Sequence, residues 1–252
     1  MKIVFMGTPD FSVPALEELA KVHQVAAVVT QQDRPKGRGK KMQYTPLNEK
    51  AIELNIPVYQ PEKVKNPEFV DILREINPDV IVVIAFGQIL SKEILDLPKY
   101  GCINVHASLL PKYRGAAPIQ WAVIDGEEET GVTTMYMAEG LDTGDVIDTA
   151  VIKLDEKETG GSLFDKLAIE GGKLIVETLS KLENGTATRT PQDDEKSSYA
   201  GKITKELGQI DFTKPAVTIE RLIRGLNPWP SAYTTLDGKA MKVWDATVEE
   251  GN

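Results

Sequence analysis

Four apolar runs set the frame of this chain. Lys2–Met6 beyond its lysine, Val25–Val29 and Val80–Ile84 carry apolar side chains at every position, the pattern of strands covered on both faces. The fourth, Cys102-Ile103-Asn104-Val105-His106, breaks the pattern at two alternate positions. Helical signals fill the gaps between them. Ser12 stands where an N-cap belongs, with Pro14 in the first turn of a helix reaching about Val22. Thr45-Pro46 opens a second helix to about Leu54, Val58-Tyr59 reads as a short strand, and Pro67–Ile76 as a third helix. This alternation predicts an α/β fold, an open, mostly parallel twisted sheet with helices on both faces.

Further along, Thr133–Met137 and Val146–Lys153 read as two strands around a loop, an antiparallel edge pair, and Ser162–Leu182 as a helix. The character changes after about Thr186. Polar residues crowd Gln192–Ser198, Ile210-Asp211-Phe212 reads as a strand and Ala216–Gly225 as a short helix. Asn227-Pro228-Trp229-Pro230 is a rigid corner, and Ala232–Thr235 and Met241–Trp244 read as strands. Two or three strands seldom stand alone. The expected division is therefore residues 1–200 as one domain and 201–252 as a linker and the first part of an incomplete β-rich domain.

Composition narrows the classes. A chain of 252 residues accommodates one sizeable domain plus part of another. Its N-terminal residues run straight into a glycine turn, unlike a signal peptide, and no apolar run approaches the roughly 18 residues of a membrane helix. A single cysteine, Cys102, excludes an internal disulfide and a cysteine-rich metal site, and its strand makes it a core thiol. A reducing cytoplasm fits this usage, and a monomer with no membrane contact is expected. The net charge of −9 argues against indiscriminate nucleic-acid binding, with one local exception. Arg34, Lys36, Arg38, Lys40 and Lys41 form a basic loop without an acidic residue, and outside it 24 basic residues face 38 acidic ones. That loop is either a solvated turn or a polyanion site.

Candidate chemistry concentrates after the fourth apolar run, in Asn104-Val105-His106-Ala107-Ser108-Leu109-Leu110-Pro111. Alternate strand residues point the same way, so Asn104 and His106 should enter one pocket. The other histidine, His23, reads as a surface or edge residue, and Trp121 as packing. Open α/β sheets bind ligands beyond the carboxyl ends of their strands. Gly7-Thr8-Pro9, Ala85–Gln88 and His106–Pro111 are such ends, and Gly140–Asp145 adds two aspartates in a tight loop. Asparagine, histidine and aspartate without a cysteine or serine nucleophile suit addition of an amine to a carbonyl. The plainer alternative is a capped strand end and a turn aspartate. No G-x-G-x-x-G or phosphate-loop motif occurs, which disfavours a nicotinamide enzyme.

At these residues the chain resembles the folate-dependent formyltransferases. Their histidine motif, HPSLLP, stands here as His106-Ala107-Ser108-Leu109-Leu110-Pro111, with Ala107 the mild departure, and their aspartate motif as Leu141-Asp142-Thr143-Gly144-Asp145. Phe5–Phe11, Asp33–Lys41 and Arg114–Gln120 resemble the members that act on tRNA, and the likeness runs from Lys2 to about Trp244. The resemblance implies a Rossmann-like catalytic domain followed by part of an OB-like barrel that grips tRNA. It implies transfer of a formyl group from 10-formyltetrahydrofolate, a co-substrate with no metal, to the amine of initiator methionyl-tRNA for translation initiation. Asn104, His106 and Asp142 match the catalytic residues. Phe86, Gly87, Gln88, Ile89 and Leu90 with Ser108, Leu109, Leu110 and Pro111 match the folate site, Phe86–Leu90 as an apolar wall. Arg34, Lys36, Arg38, Lys40 and Lys41 match the segment that meets the acceptor stem. A formyltransferase for a small amine would not need the basic loop, and a non-catalytic RNA-binding module would not need Asn104, His106 and Asp142.

Overall fold

Strand β1 (Lys2–Gly7) is buried from Ile3 onward, because parallel partners flank it on both sides. The computed structural model describes residues 1–36 and 41–249, with the backbone alone at 34–36 and 41–42. From β1 the chain passes through α1 (Val13–Val22) to β2 (Gln24–Val29), then through the two short antiparallel strands β3 (Arg34–Lys36) and β4 (Lys41–Gln43). It continues through α2 (Pro46–Glu53), β5 (Val58–Tyr59), α3 (Pro67–Ile76), β6 (Val80–Ile84), α4 (Lys92–Leu95) and β7 (Cys102–His106). After β8 (Arg114–Gly115) and α5 (Pro118–Asp125) come β9 (Glu129–Tyr136), β10 (Val146–Lys153) and α6 (Gly160–Glu183). The last elements are β11 (Tyr199–Ala200), α7 (Ala216–Gly225), β12 (Ala232–Leu236) and β13 (Lys239–Val243).

The seven-stranded sheet runs β10-β9-β7-β6-β1-β2-β5. The five strands from β7 to β5 are parallel, and β9 is antiparallel to β7. Hydrogen bonds from Tyr136 N to Asp145 O and from Leu154 N to Glu128 O mark an antiparallel β9–β10 pair, with β10 at the sheet edge as expected. Val4, Met6, Ala27, Val29, Ile81, Val83 and Cys102 pack on one face with Phe69, Val70 and Leu73 of α3 and Ile94 of α4. The opposite face is equally dry, and there Gly171 of α6 lies against Val105. Helices cover both faces, as the continuous apolar runs require. Cys102 is buried among them, and burial pushes its thiol up to about 12.

Two expected local details differ. Ser12 does occupy the cap position of α1, but its hydroxyl donates to Pro9 O at 2.6 Å and caps no helical N–H, because a short 3₁₀ turn at Asp10–Ser12 precedes the helix. Thr45 caps α2 as its sequence suggests, accepting from Asn48 N. Ile210–Phe212 is not a strand. Ile210 packs with Ile223 and Ala232, Phe212 is exposed, and Asp211 turns the chain by accepting from Thr213 N and Oγ1.

The chain divides into two compact units. Met1–His106, Val132–Ala150 and Ala168–Gln192 form the first; Ala107–Gly131, Val151–Leu167 and Asp193–Asn252 form the second. The second has its own small apolar clusters. Ala117, Ile203 and Leu226 gather Trp121, whose Nε1 donates to Gly201 O at 2.7 Å, so this tryptophan is packing. Strands β12 and β13 meet at Asp237-Gly238, both with positive φ, as a two-residue hairpin requires.

Inside the first unit a polar chain is sealed in the core. The Thr134 and Thr178 hydroxyls lie 2.8 Å apart, fully buried, and Thr178 donates to Asp148 Oδ2 at 3.0 Å. One hydroxyl carries one proton, so Thr134 must be the donor to Thr178. Thr178→Val keeps the shape but leaves the buried Thr134 hydroxyl without its acceptor and removes one of two donors to Asp148, which keeps Lys181, and a loss of about 1–3 kcal/mol is expected. Urea unfolding should show it as a lower midpoint with an unchanged slope.

Candidate active site

Asn104 and His106 project from β7 on the face that carries Cys102, as their alternate spacing requires. Asn104 is flanked in register by Val83 of β6 and Met135 of β9, both apolar and buried. Its Oδ1 is buried and has no hydrogen-bond partner among the described residues. A stranded acceptor in an apolar bed costs about 1–3 kcal/mol, so this position serves something other than stability.

His106 ends the strand, 7% exposed. Its Nδ1 stands 3.8 Å from Oδ2 of Asp142, a separation that catalytic groups commonly show before substrate draws them together. Asp142 itself holds a left-handed backbone, φ +52. That conformation costs a residue with a Cβ roughly 1–2 kcal/mol, and such strain persists where surrounding structure imposes it. The imposition is visible at Gly144, where an added Cβ would lie 1.6 Å from Tyr136 O. Arg189 adds a grip: its guanidinium lies 4.0 Å from the Tyr136 ring centre and its Nε 3.2 Å from Asp145 Oδ2. Burial raises the Tyr136 phenol above its ordinary value, with Arg189 working against the shift.

The strand ends β1, β2 and β6 are tied together. Phe86 O accepts from Thr8 Oγ1 at 3.1 Å and from Gln31 Nε2 at 3.0 Å. Beside this knot is a cavity of about 580 Å³, lined by Thr8, Gln31, Tyr44, Phe86 and Gly87 among others. Ala85 and Gly87 both have positive φ, so the backbone turns sharply here. The expected apolar wall at Phe86–Leu90 takes a different form. Phe86 and Leu90 are buried in the core, and Gln88 Oε1 accepts from Val64 N. Only Ile89, 89% exposed, presents an apolar side chain, so the segment offers mainly backbone.

In the second unit, Ser108 is fully buried and its hydroxyl donates to Lys112 O at 2.6 Å, closing the turn through Leu109, Leu110 and Pro111. Leu110 is buried and Leu109 half-buried. Tyr113 follows with positive φ, its hydroxyl 2.9 Å from Asp125 Oδ2 and 2.8 Å from Glu127 Oε1 with one proton to give between them, and burial with these carboxylates raises its pKa. The basic-loop expectations cannot be placed: Arg38 and Lys40 lie outside the described residues, as do the side chains of Arg34, Lys36 and Lys41. Among the described residues no helix is long and apolar enough to cross a membrane.

A formyl transferase family model matches residues 1–179, and a formyl transferase C-terminal domain model matches 202–252. The chain belongs to the formyl transferase family. One similar relative within it is the methionyl-tRNA formyltransferase of Agathobacter rectalis, 63% identical over all of this chain and 82% of that protein. The methionyl-tRNA formyltransferase of Clostridioides difficile is 59% identical over 98% of this chain and 81% of its own. The family fold is also met in WlaRD, a sugar 3N-formyl transferase whose crystal structure was determined in the presence of dTDP and 5-N-formyl-THF. It gives a TM-score of 0.73 at 23% identity, covering 97% of this chain and 85% of that one. A glycinamide ribonucleotide transformylase from Symbiobacterium toebii gives 0.65 at 17% identity over 76% and 93%.

Sequence reasoning missed Gln192, which lies in a polar tract with no motif. Its Nε2 donates to Asp142 O and to Gly144 O, both at 2.8 Å. For this loop, Gly144→Ala has to displace the chain from Tyr136 O. A shift near 1 Å can cost about 10² in rate, so formyl-transfer kcat should fall by about that factor while circular dichroism stays that of the parent protein.

Proposed function

We propose that this chain transfers the formyl group of 10-formyltetrahydrofolate to the free amine of initiator methionyl-tRNA. Identity of 63% and 59% to two methionyl-tRNA formyltransferases supports the substrate pair. The single structural observation behind the chemistry is that Asn104, with its unpartnered buried Oδ1, shares a strand face with His106, and His106 meets Asp142.

In this reading Asn104 Nδ2 donates to the formyl oxygen as the amine adds, its unpartnered Oδ1 accepting from a substrate N–H, and His106 donates to the same oxygen or shuttles a proton. Asp142 holds the imidazole and helps receive the amine proton. The new carbon–nitrogen bond forms as the bond to folate N10 breaks, and the proton lost by the amine ends on N10. Ser108, Leu109, Leu110 and Pro111, with Phe86, Gly87, Gln88, Ile89 and Leu90, are proposed to hold the folate, mainly through backbone groups given where the Phe86 and Leu90 side chains lie. Residues 1–200 carry the chemistry, and 201–252 belong to the part that grips tRNA; family-model boundaries at 179 and 202 support this division. Arg34, Lys36, Arg38, Lys40 and Lys41 are proposed to meet the acceptor stem, which suits a basic cluster on a chain of net charge −9.

The test is a formylation assay with 10-formyltetrahydrofolate and either methionyl-tRNA or small amines. Asn104→Ala, His106→Ala and Asp142→Ala should each lose at least about 10²–10³ in kcat, the range for one oxyanion donor. The Asn104 and His106 double variant should lose less than the product, since the two act as a unit. Near-normal turnover by His106→Ala overturns the assignment, and faster formylation of a small amine than of methionyl-tRNA overturns the substrate.

The basic segment has its own signature. Arginine makes bidentate phosphate contacts that lysine cannot, so Arg38 is expected to contribute most. Arg38→Ala should raise KM for tRNA, leave folate affinity alone and reduce the salt slope of tRNA binding by about one. A chain neutral at all five positions that formylates tRNA normally at physiological salt would remove this segment from the interface.

A further inference from the structure

Strand β9 runs antiparallel to β7, with His106 opposite Thr133 and Ile103 opposite Tyr136. The segment after β9 therefore leaves beside Cys102, where Met137 N donates to Cys102 O at 2.8 Å. That is four residues from His106, about 13 Å along the strand. Yet five residues later Asp142 stands 3.8 Å from His106. The loop has doubled back, and something must hold it there.

The segment 189–192 supplies the hold. Arg189 pairs with Asp145, and Thr190 and Val146 exchange two backbone hydrogen bonds of 2.9 Å. Both grips act at the far end of the loop. Gln192 is the member of this segment that reaches Asp142, its Nε2 bonding the carbonyls on either side of Thr143, and it lies 3.9 Å from Sδ of Met135, the register partner of Asn104. A carboxamide suits this role, because its one nitrogen carries two protons and two carbonyls accept them.

We propose that Gln192 is a positioning residue for formyl transfer, holding Asp142 in the left-handed turn that aims its carboxylate at His106. The proposal rests on the reading of His106 and Asp142 as catalytic. Gln192→Met keeps length and bulk but donates nothing, and Gln192→Glu sets a carboxylate against two carbonyl oxygens.

The experiment measures kcat, both KM values and Tm for Gln192→Met, Gln192→Glu, Asp142→Asn and the Asp142→Asn/Gln192→Met pair. Gln192→Met should lose about 10- to 100-fold in kcat, with both KM values within about twofold of the parent, and Gln192→Glu should lose more. Beside Asp142→Asn, the methionine should cost nothing further, because Gln192 acts only through Asp142. Unchanged kcat in Gln192→Met while Asp142→Asn is nearly inactive overturns the proposal and spares the catalytic reading. An equal further loss in the double variant also overturns it, as does a fall in Tm with kcat intact. Full activity in Asp142→Asn overturns the catalytic reading itself and the proposal with it. If Gln192→Met does not fold, Gln192→Glu is read by the same criteria.

Discussion

The direction of one strand governs the site. Four parallel pairings place the ends of β1, β2, β5, β6 and β7 on one edge of the sheet, where open α/β folds take their ligands. The antiparallel β9 delivers the next loop to the opposite edge. A carboxylate near His106 therefore needs a loop that climbs back along β7. The glycine jammed against Tyr136 O, the left-handed Asp142 and the amide that ties it all follow from that requirement.

The asparagine carries a different cost. A central strand between Val83 and Met135 would be more stable with an apolar side chain at position 104, and the buried, unpartnered Oδ1 has the energetics of a group waiting for a ligand. Histidine one step further along the same face is less costly, because it sits at the strand end with a carboxylate at hand. Stability and the proposed chemistry thus compete at adjacent places on a single face, and the hydroxyl chain through Thr134 and Thr178 shows how this core treats polar groups that it can satisfy.

Much of this is legible in the order of residues alone. Unbroken apolar runs mean strands covered on both sides, and the interruption at Asn104 and His106 marks the proposed site because apolar strands have no packing use for either residue. Other features follow from contacts that no local pattern encodes. Ser12 looks like a helix cap, but the 3₁₀ turn before α1 diverts its hydroxyl to Pro9. Ile210 is apolar because it packs against Ile223 of α7 and Ala232 of β12, and a strand of its own is not the reason. Phe86 and Leu90 suggest a wall, yet burial in the core claims their side chains. Gln192 bonds a residue 50 positions away, and a glutamine in a polar tract announces nothing of the kind.

The burial of Cys102 has a practical corollary. Reaction at sulfur needs the thiolate, and a thiol pushed up to about 12 scarcely forms it at neutral pH. Because this is the one cysteine of the sequence, the protein carries its own blank for thiol chemistry. A cysteine introduced at a position as open as Ile89 would be the sole reactive handle, and a fluorophore placed there would report events at that strand end without correction for a native background.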